Sequence, residues 1–187
     1  MLAISFSPFP VLHTQRLLLR ALTADDTAQM FMLRTDADTL QFLDRHPMQS
    51  LAEAALMIKK ITDDIINNES ITWAIVLKDE PSILMGTIGF WRMEKEHYRA
   101  EIGYMLLPAW FKKGYMKEAA AAVINYGFSE MHLHSIEANI NTANEASEKL
   151  LQRMGFVKEA YFKENFYFNG QFLDSVIYSL INRGPEV

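Results

Sequence analysis

The stretch Glu101-Ile-Gly-Tyr-Met-Leu-Leu-Pro-Ala-Trp-Phe-Lys-Lys-Gly-Tyr-Met-Lys-Glu-Ala119 decides how this chain reads. An apolar strand, Ala100 to Leu107, runs into Pro108, which has no N–H to continue a ladder. A short loop follows with Lys112, Lys113 and Gly114, and an alanine-rich helical pattern then spans Gly114 to Phe128. A helix N-terminus presents unpaired N–H groups and a partial positive charge. Gly114 lets a ligand approach the backbone closely, and the lysines add charge. Together they make an anion site suited to a diphosphate. Neither Gly-x-x-x-x-Gly-Lys-Ser/Thr nor Gly-x-Gly-x-x-Gly is present, so a mononucleotide P-loop and a Rossmann fingerprint have no support. Taken alone, a tight turn at Gly114 flanked by solvated lysines reads the segment equally well.

Upstream, Thr14 to Ala21 is a strand, and Thr23 caps a helix with Asp25 and Asp26 in its first turn. Ser50-Leu-Ala-Glu53 is a capping box. Behind it Leu51, Ala55, Ile58, Ile61 and Ile65 recur at helical spacing, so an amphipathic helix runs from Ser50 to about Asn68. Ile71 to Leu77 and Ile83 to Trp91 are strands around a turn at Asp79-Glu-Pro-Ser82. With Ala100 to Leu107 they form an antiparallel meander. Downstream come a strand at Ile136 to Ile140 and a helix from Asn144 to its stop at Gly155. Asn169-Gly170 joins Val157 to Phe168 with Gln171 to Ile181, a strong hairpin signal. The order is a strand, two helices, three strands, then helix, strand, helix and hairpin. This is a mixed α/β sheet rather than a regular βαβ array.

The chain has 187 residues, half of them hydrophobic, and no low-complexity linker or repeat, so residues 1–187 read as one domain. The net charge of −5 argues against a basic nucleic-acid footprint. The absence of cysteine removes disulfides, thiolate metal sites and a Cys nucleophile, and fits a reducing compartment. No apolar run approaches the roughly 18 residues of a membrane span, and Met1 to Pro10 lacks signal-peptide features. A cytoplasmic protein with no membrane partner is expected. Of the five histidines only His132 and His134 are close, without a third ligand at metal spacing, so no metal is expected. The methionines read as core gap-fillers.

Phe111-Lys-Lys-Gly-Tyr-Met116 resembles the acetyl-CoA loop of the GNAT N-acetyltransferases, Arg/Gln-x-x-Gly-x-Gly/Ala. Gly114 matches strictly; Phe111 and Met116 depart. Gly-Tyr-Met-x-Glu-Ala is a familiar form in the RimJ/RimL-like subgroup, the ribosomal-protein acetyltransferases. Asn144-Glu-Ala-Ser147, Leu150-Leu151 and Gly155-Phe156 are similar to that subgroup's Asn-x-x-Ser…Gly-Phe signature. Thr14-Gln-Arg-Leu-Leu-Leu-Arg20 resembles its opening strand, and Glu159 and Asp174 around Asn169-Gly170 its terminal hairpin. The likeness covers roughly residues 12 to 182. It implies a mostly antiparallel sheet, flanked by helices and splayed between its fourth and fifth strands. It also implies acetyl-CoA as co-substrate, with pantetheine pairing near Tyr104, Met105, Leu106 and Leu107. The pyrophosphate would sit on N–H groups of Lys112, Lys113, Gly114, Tyr115 and Met116.

Glu101 is the first candidate for general base, since a glutamate on this strand often serves GNAT enzymes so. Glu101, Gly103 and Met105 share one strand face, and Gly103 leaves open space beside the carboxylate. The structural alternative is an exposed glutamate paired with Arg99 or Arg92. Ser147 follows Asn144 by one helical turn. Asn144 is the candidate for binding pantetheine and Ser147 for protonating the departing thiolate, with Tyr104, Tyr115 and Tyr161 as rival acids. Both also suit a helix start regardless of function. Glu159 and Asp174 either hold an acceptor ammonium or pair structurally with an arginine, the second being favoured. The aromatics from Tyr161 to Phe172 read as core or the surface of a homodimer, not a nucleobase platform.

Without cysteine, direct transfer in a ternary complex is preferred over an acetyl-Cys intermediate. No Gly-x-Ser-x-Gly elbow supports a hydrolase. An α-amine, of pKa about 7.8, is freed of its proton for about 3.5 kcal/mol less than a lysine at about 10.4. The expected function is therefore acetyl transfer to a primary amine, with the N-terminal α-amine of a ribosomal or other protein favoured. A small-molecule amine acceptor and a non-catalytic CoA-binding module are the alternatives.

Overall fold

The computed structural model describes residues 1–184. The strands are β1 (Leu12–His13), β2 (Leu17–Arg20), β3 (Ile71–Leu77), β4 (Gly86–Glu94), β5 (Arg99–Leu106), β6 (Ser135–Asn141), β7 (Val157–Phe168) and β8 (Gln171–Ile181). The helices are α1 (Thr27–Leu33), α2 (Ala37–Leu40), α3 (Leu51–Ile66), α4 (Tyr115–Ser129) and α5 (Glu145–Arg153). The strands form one sheet in the order β1-β2-β3-β4-β5-β6-β8-β7. Every neighbouring pair is antiparallel except β5 with β6. The expected mixed, mostly antiparallel α/β sheet is thus present. The fourth and fifth strands of the sequence reading are β5 and β6, because the two-residue β1 adds one to the count.

Side-chain alternation sends each strand's residues to two different layers. Ile71, Trp73, Ile75, Ile88, Phe90, Ile102 and Leu106 pack with Ala119, Ala120 and Val123 of α4 and Leu151 of α5. On the opposite face Ala74, with Met105 beside it, packs with Met30 and Leu33 of α1 and Ala54 and Ile58 of α3. The sheet is close-packed across its strands. A Cβ on Gly89 would lie 2.1 Å from the Ile71 carbonyl oxygen and 2.8 Å from Thr72 Cα, so only glycine lets β4 lie so near β3.

Several local readings shift. Ile83 to Met85, expected in a strand, form the turn before β4. Leu84 N–H donates to Gln29 Oε1 at 2.6 Å, and Met85 N–H to Ile75 O at 2.9 Å. Leu84 and Met85 fill the core from a loop, while Ile83 stays exposed. At its other end β4 runs on through a bulge to Glu94, with Arg92 at φ 45°. The helix after Thr23 starts as a 3-10 turn, Ala24–Asp26, before α1, and α2 is a third helix where two were expected. In the capping box Ser50 Oγ accepts from Glu53 N–H, but Glu53 turns back to Gln49 N–H at 3.0 Å rather than to Ser50.

Candidate active site

The sheet splits where β5 and β6 part. Their parallel pairing covers only Arg99↔Ser135, Ala100↔Ile136 and Glu101↔Glu137. Beyond Glu101, β5 keeps β4 on one side through Gly86↔Leu106, while β6 goes on with β8 to Asn141. The second edge of Ile102–Met105 therefore faces no strand. Such an edge is built to take an extended ligand by backbone pairing. At Leu106 the carbonyl already accepts from Thr39 Oγ1 of α2 at 3.2 Å, and Leu107 N–H donates to Met85 O at 2.8 Å.

Glu101 stands at the point of the split. It is 6% exposed, so it is not the solvent-facing glutamate of the structural alternative. Its pairing with Arg92, part of that same alternative, is real: Arg92 Nη1 donates to Glu101 Oε2 at 3.2 Å. Burial pushes the carboxyl above its ordinary pKa. Arg92 and the Asn139 N–H pull it down, while Glu137 pushes it up. The open space expected beside Gly103 is bounded: a Cβ there would lie 3.3 Å from Trp91 Nε1. Trp91 is the cross-strand neighbour of Glu101, and the Arg92 guanidinium stacks on its ring at 4.4 Å. The sequence alone did not single out Trp91 or Asn139. Glycine at 103 was the one local hint that a bulky neighbour lay near.

Tyr104 lies three residues on, so it projects to the opposite face, toward α5. Its hydroxyl is 2.6 Å from Ser147 Oγ. Two rivals for the acid role are therefore one hydrogen-bonded pair. Burial pushes the Tyr104 phenol up to about 12, against a smaller lowering by Ser147, so it keeps its proton at neutral pH. Ser147 is itself buried. Asn144 is the N-cap of α5, and its Oδ1 accepts from Ser147 N–H at 3.0 Å. That bond fixes the serine at the helix start and leaves the Asn144 amide NH2 as its remaining donor group.

The loop after β5 turns through Lys112 (φ 59°) and Gly114 (φ 81°), both left-handed, into α4. The first helical bond is Glu118 N–H to Gly114 O at 3.1 Å, so the N–H groups of Tyr115, Met116 and Lys117 have no partner within the helix. Arg16, to which the sequence reading gave no role of its own, clamps this loop. Its Nη1 donates to Lys113 O at 3.1 Å, its Nε pairs with Glu118 Oε2 at 2.7 Å, and its guanidinium stacks on the Tyr115 ring at 4.3 Å. The resemblance of Thr14–Arg20 to a family opening strand covered this residue without a role for it; its distance along the chain hid what it holds.

A cavity of about 530 Å3 passes through the split and brings together Glu101, Tyr104, Met105, Asn144 and Ser147. Tyr115 and Tyr161 do not line it. Asp174 does, but its partner is not the expected arginine: it accepts from the Tyr161 hydroxyl and from Glu164 N–H at 2.7 Å. Glu159 accepts from Ser179 Oγ at 2.7 Å, likewise without an arginine. The hairpin aromatics Tyr161, Phe162, Phe166, Tyr167 and Phe172 are exposed rather than core. Among the described residues no His, Asp or Glu cluster of metal-binding size exists, and no helix is long and apolar enough to cross a membrane.

Residues 16–157 match the Acetyltransferase (GNAT) domain. The Bacillus subtilis (strain 168) protein named as uncharacterized N-acetyltransferase YoaA is 36% identical over 173 residues, 92% of this chain and 97% of that protein. The ribosomal protein uS5-alanine N-acetyltransferase of Escherichia coli (strain K12) is 37% identical over 103 residues, 54% of this chain and 53% of that enzyme. The spermidine N(1)-acetyltransferase of Vibrio cholerae is 24% identical over 159 residues, 85% and 89% of the two chains. The crystal structure of a GNAT-family acetyltransferase from Bacillus anthracis superposes with a TM-score of 0.82 at 27% identity, covering 94% of this chain and all of that one. A split sheet, a clamped glycine loop and these relatives agree: the chain belongs to the GNAT family and is an N-acetyltransferase.

Proposed function

We propose that this enzyme acetylates the N-terminal α-amine of a protein or peptide by direct transfer from acetyl-CoA. The observation that carries the reading is the opposition of two proton-handling groups across one gap: buried Glu101 on one sheet face, the Tyr104–Ser147 hydroxyl pair on the other. Acetyl-CoA supplies the thioester. Its pantetheine lies along the open edge of Ile102–Met105, within reach of the Asn144 amide, and stops short of Leu106 and Leu107, whose carbonyl and N–H are engaged by Thr39 and Met85. Its pyrophosphate lies on the N–H groups from Lys112 to Met116, with Gly114 allowing the approach.

Glu101 takes a proton from the acceptor ammonium, and the freed nitrogen attacks the thioester carbonyl carbon. The C–N bond forms, the C–S bond breaks, and the leaving thiolate takes a proton from the hydroxyl pair; the proton the acylated nitrogen still carries restores that pair through solvent, and Glu101 releases its own proton to solvent. A carboxylate raised above its ordinary pKa suits this work, because a base is most effective when its pKa approaches the operating pH. The lower proton affinity of an α-amine suits a single carboxylate base better than lysine does. The uS5-alanine relative, named for a protein acceptor, supports the peptide reading.

Thiol release from acetyl-CoA, followed with a chromogenic disulfide reagent, tests it. The chain has no cysteine, so its own background is nil. N-terminal peptides should release CoA. Release with spermine or an aminoglycoside and none with peptides would replace the peptide acceptor with a small amine. Binding of acetyl-CoA with no turnover on any amine would contradict the catalytic reading.

A further inference from the structure

The cavity wall carries charges of both signs. Four carboxylates line it, and each already has a donor from this chain. Asp44 accepts from Asn141 Nδ2 at 3.1 Å, and Asp64 pairs with Lys60 at 2.7 Å. Glu101 takes Arg92, and Asp174 takes Tyr161 and the Glu164 N–H. Of the four cations on the wall, Lys60 and Arg92 are those two partners. The other two, Arg34 and Arg45, have no carboxylate within 4.0 Å among the described residues. Arg34 ends α1 half-buried, and its polar contact is the Met105 sulfur, 3.9 Å from Nη1. Arg45 lies over the Trp91 ring at 5.9 Å. Burial and the neighbouring charge of Arg45 pull the Arg34 pKa down to about 10. The same cavity wall carries Ser175, whose buried hydroxyl has no hydrogen-bond partner.

We infer that Arg34 and Arg45 form a carboxylate-binding subsite, so that the preferred acceptor is a peptide with an acidic residue close behind its N-terminal amine. This rests on the peptide reading above. A half-buried guanidinium without a counter-ion is costly, and a carboxylate offers it a two-pronged partner. Spacing sets the distance from the amine. Trp91 stands directly across from Glu101, so Arg45 flanks the amine end. Met105 is four residues along the strand from Glu101, about 13 Å by strand rise, which puts Arg34 further out. An extended peptide entering amine-first would bring side chains of its second to fourth residues to these two groups. A polycation would meet two unpaired guanidinium groups on the same wall; among the described residues Asp44 and Asp174, whose donors are neutral, are the acids there without a cation partner.

The test compares matched peptides beginning Ser-Glu-Asp or Ser-Gln-Asn, with free glutamate and spermine alongside. The acidic peptide should be favoured about tenfold or more in kcat/KM, through KM, and the preference should shrink as salt rises. Arg45→Gln and Arg34→Met should each narrow that ratio, and Arg34→Lys should restore part of it. Arg45 is exposed, so its variant keeps the test alive should Arg34→Met fold poorly. KM for acetyl-CoA reports whether a variant has disturbed the rest of the site. Equal use of the two peptides, or a preference that survives both substitutions, overturns the subsite and leaves the peptide reading standing. Preference for free glutamate over every peptide keeps the carboxylate subsite but moves it to a small acceptor. Turnover of spermine alone overturns both.

Discussion

At the scale of single residues, the proposed mechanism turns on how Glu101 is held. Its pKa is raised by burial and restrained by Arg92. Removing the restraint with Arg92→Leu should move the acid limb of kcat/KM to higher pH, since the carboxyl then loses a group that favours its charged form. A pH–rate profile checks it; an unmoved limb would mean Arg92 does not act on the base. On the other face, Tyr104→Phe and Ser147→Ala should each lower kcat by about a hundredfold, the low end of proton-transfer effects, and leave acceptor KM nearly unchanged. Steady-state kinetics with one peptide checks this. The sequence put Glu101 forward on strand alternation, on the family's strand glutamate and on open space at Gly103, which Trp91 in fact bounds. Of its companions Arg92 was legible as a partner and the others were not. Trp91, Asn139, Arg34 and Arg45 come from other elements, and only the pairing of β4 with β5 and the parting of β6 bring them to it.

At the scale of elements, the loop before α4 and the turn before α1 carry separable loads. Gly114 at φ 81° sits in a region where an alanine costs about 1–2 kcal/mol. Gly114→Ala should therefore raise KM for acetyl-CoA several-fold with a small loss of stability, read by titration and thermal melting. The Arg20–Asp26 pair ties β2 to the turn before α1 at 2.7 Å, with the Asp26 side chain 2% exposed. Burial alone would raise the Asp26 pKa, but hydrogen bonds from Arg20 and Thr23 hold it below its ordinary value. Its stabilisation is present above the unfolded carboxylate pKa, about 3.9, and is lost as pH falls through the lower folded value. Asp26→Asn should cost about 3 kcal/mol at neutral pH by leaving a guanidinium without its ion pair, measured by denaturant unfolding. Elements with an unbroken pattern and clear stops were legible in sequence: Ile71 to Leu77 and both hairpin strands match β3, β7 and β8 to the residue. The start of β4 was not, because Leu84 and Met85 are apolar for the core's sake and Ile83 is an exposed apolar residue beside them, while their backbone bonds serve a turn.

At the scale of the whole molecule, a single break in the sheet's pairing creates the site. The main core fills the layer of α4 and α5, the smaller core the layer of α1 and α3, and the cavity joins the two through the gap between β5 and β6. The splay was legible through the family resemblance alone, since nothing in local periodicity marks where a parallel pair must end. The direct measurement is the pH dependence of kcat/KM for peptide acetylation by the wild-type enzyme and by Glu101→Gln. Glu101 as base predicts an acid limb in the wild type, governed by a carboxyl above its ordinary range. The variant should lose that limb and fall about a hundredfold or more at neutral pH. An unchanged rate and an unchanged limb in Glu101→Gln would contradict the account at its centre.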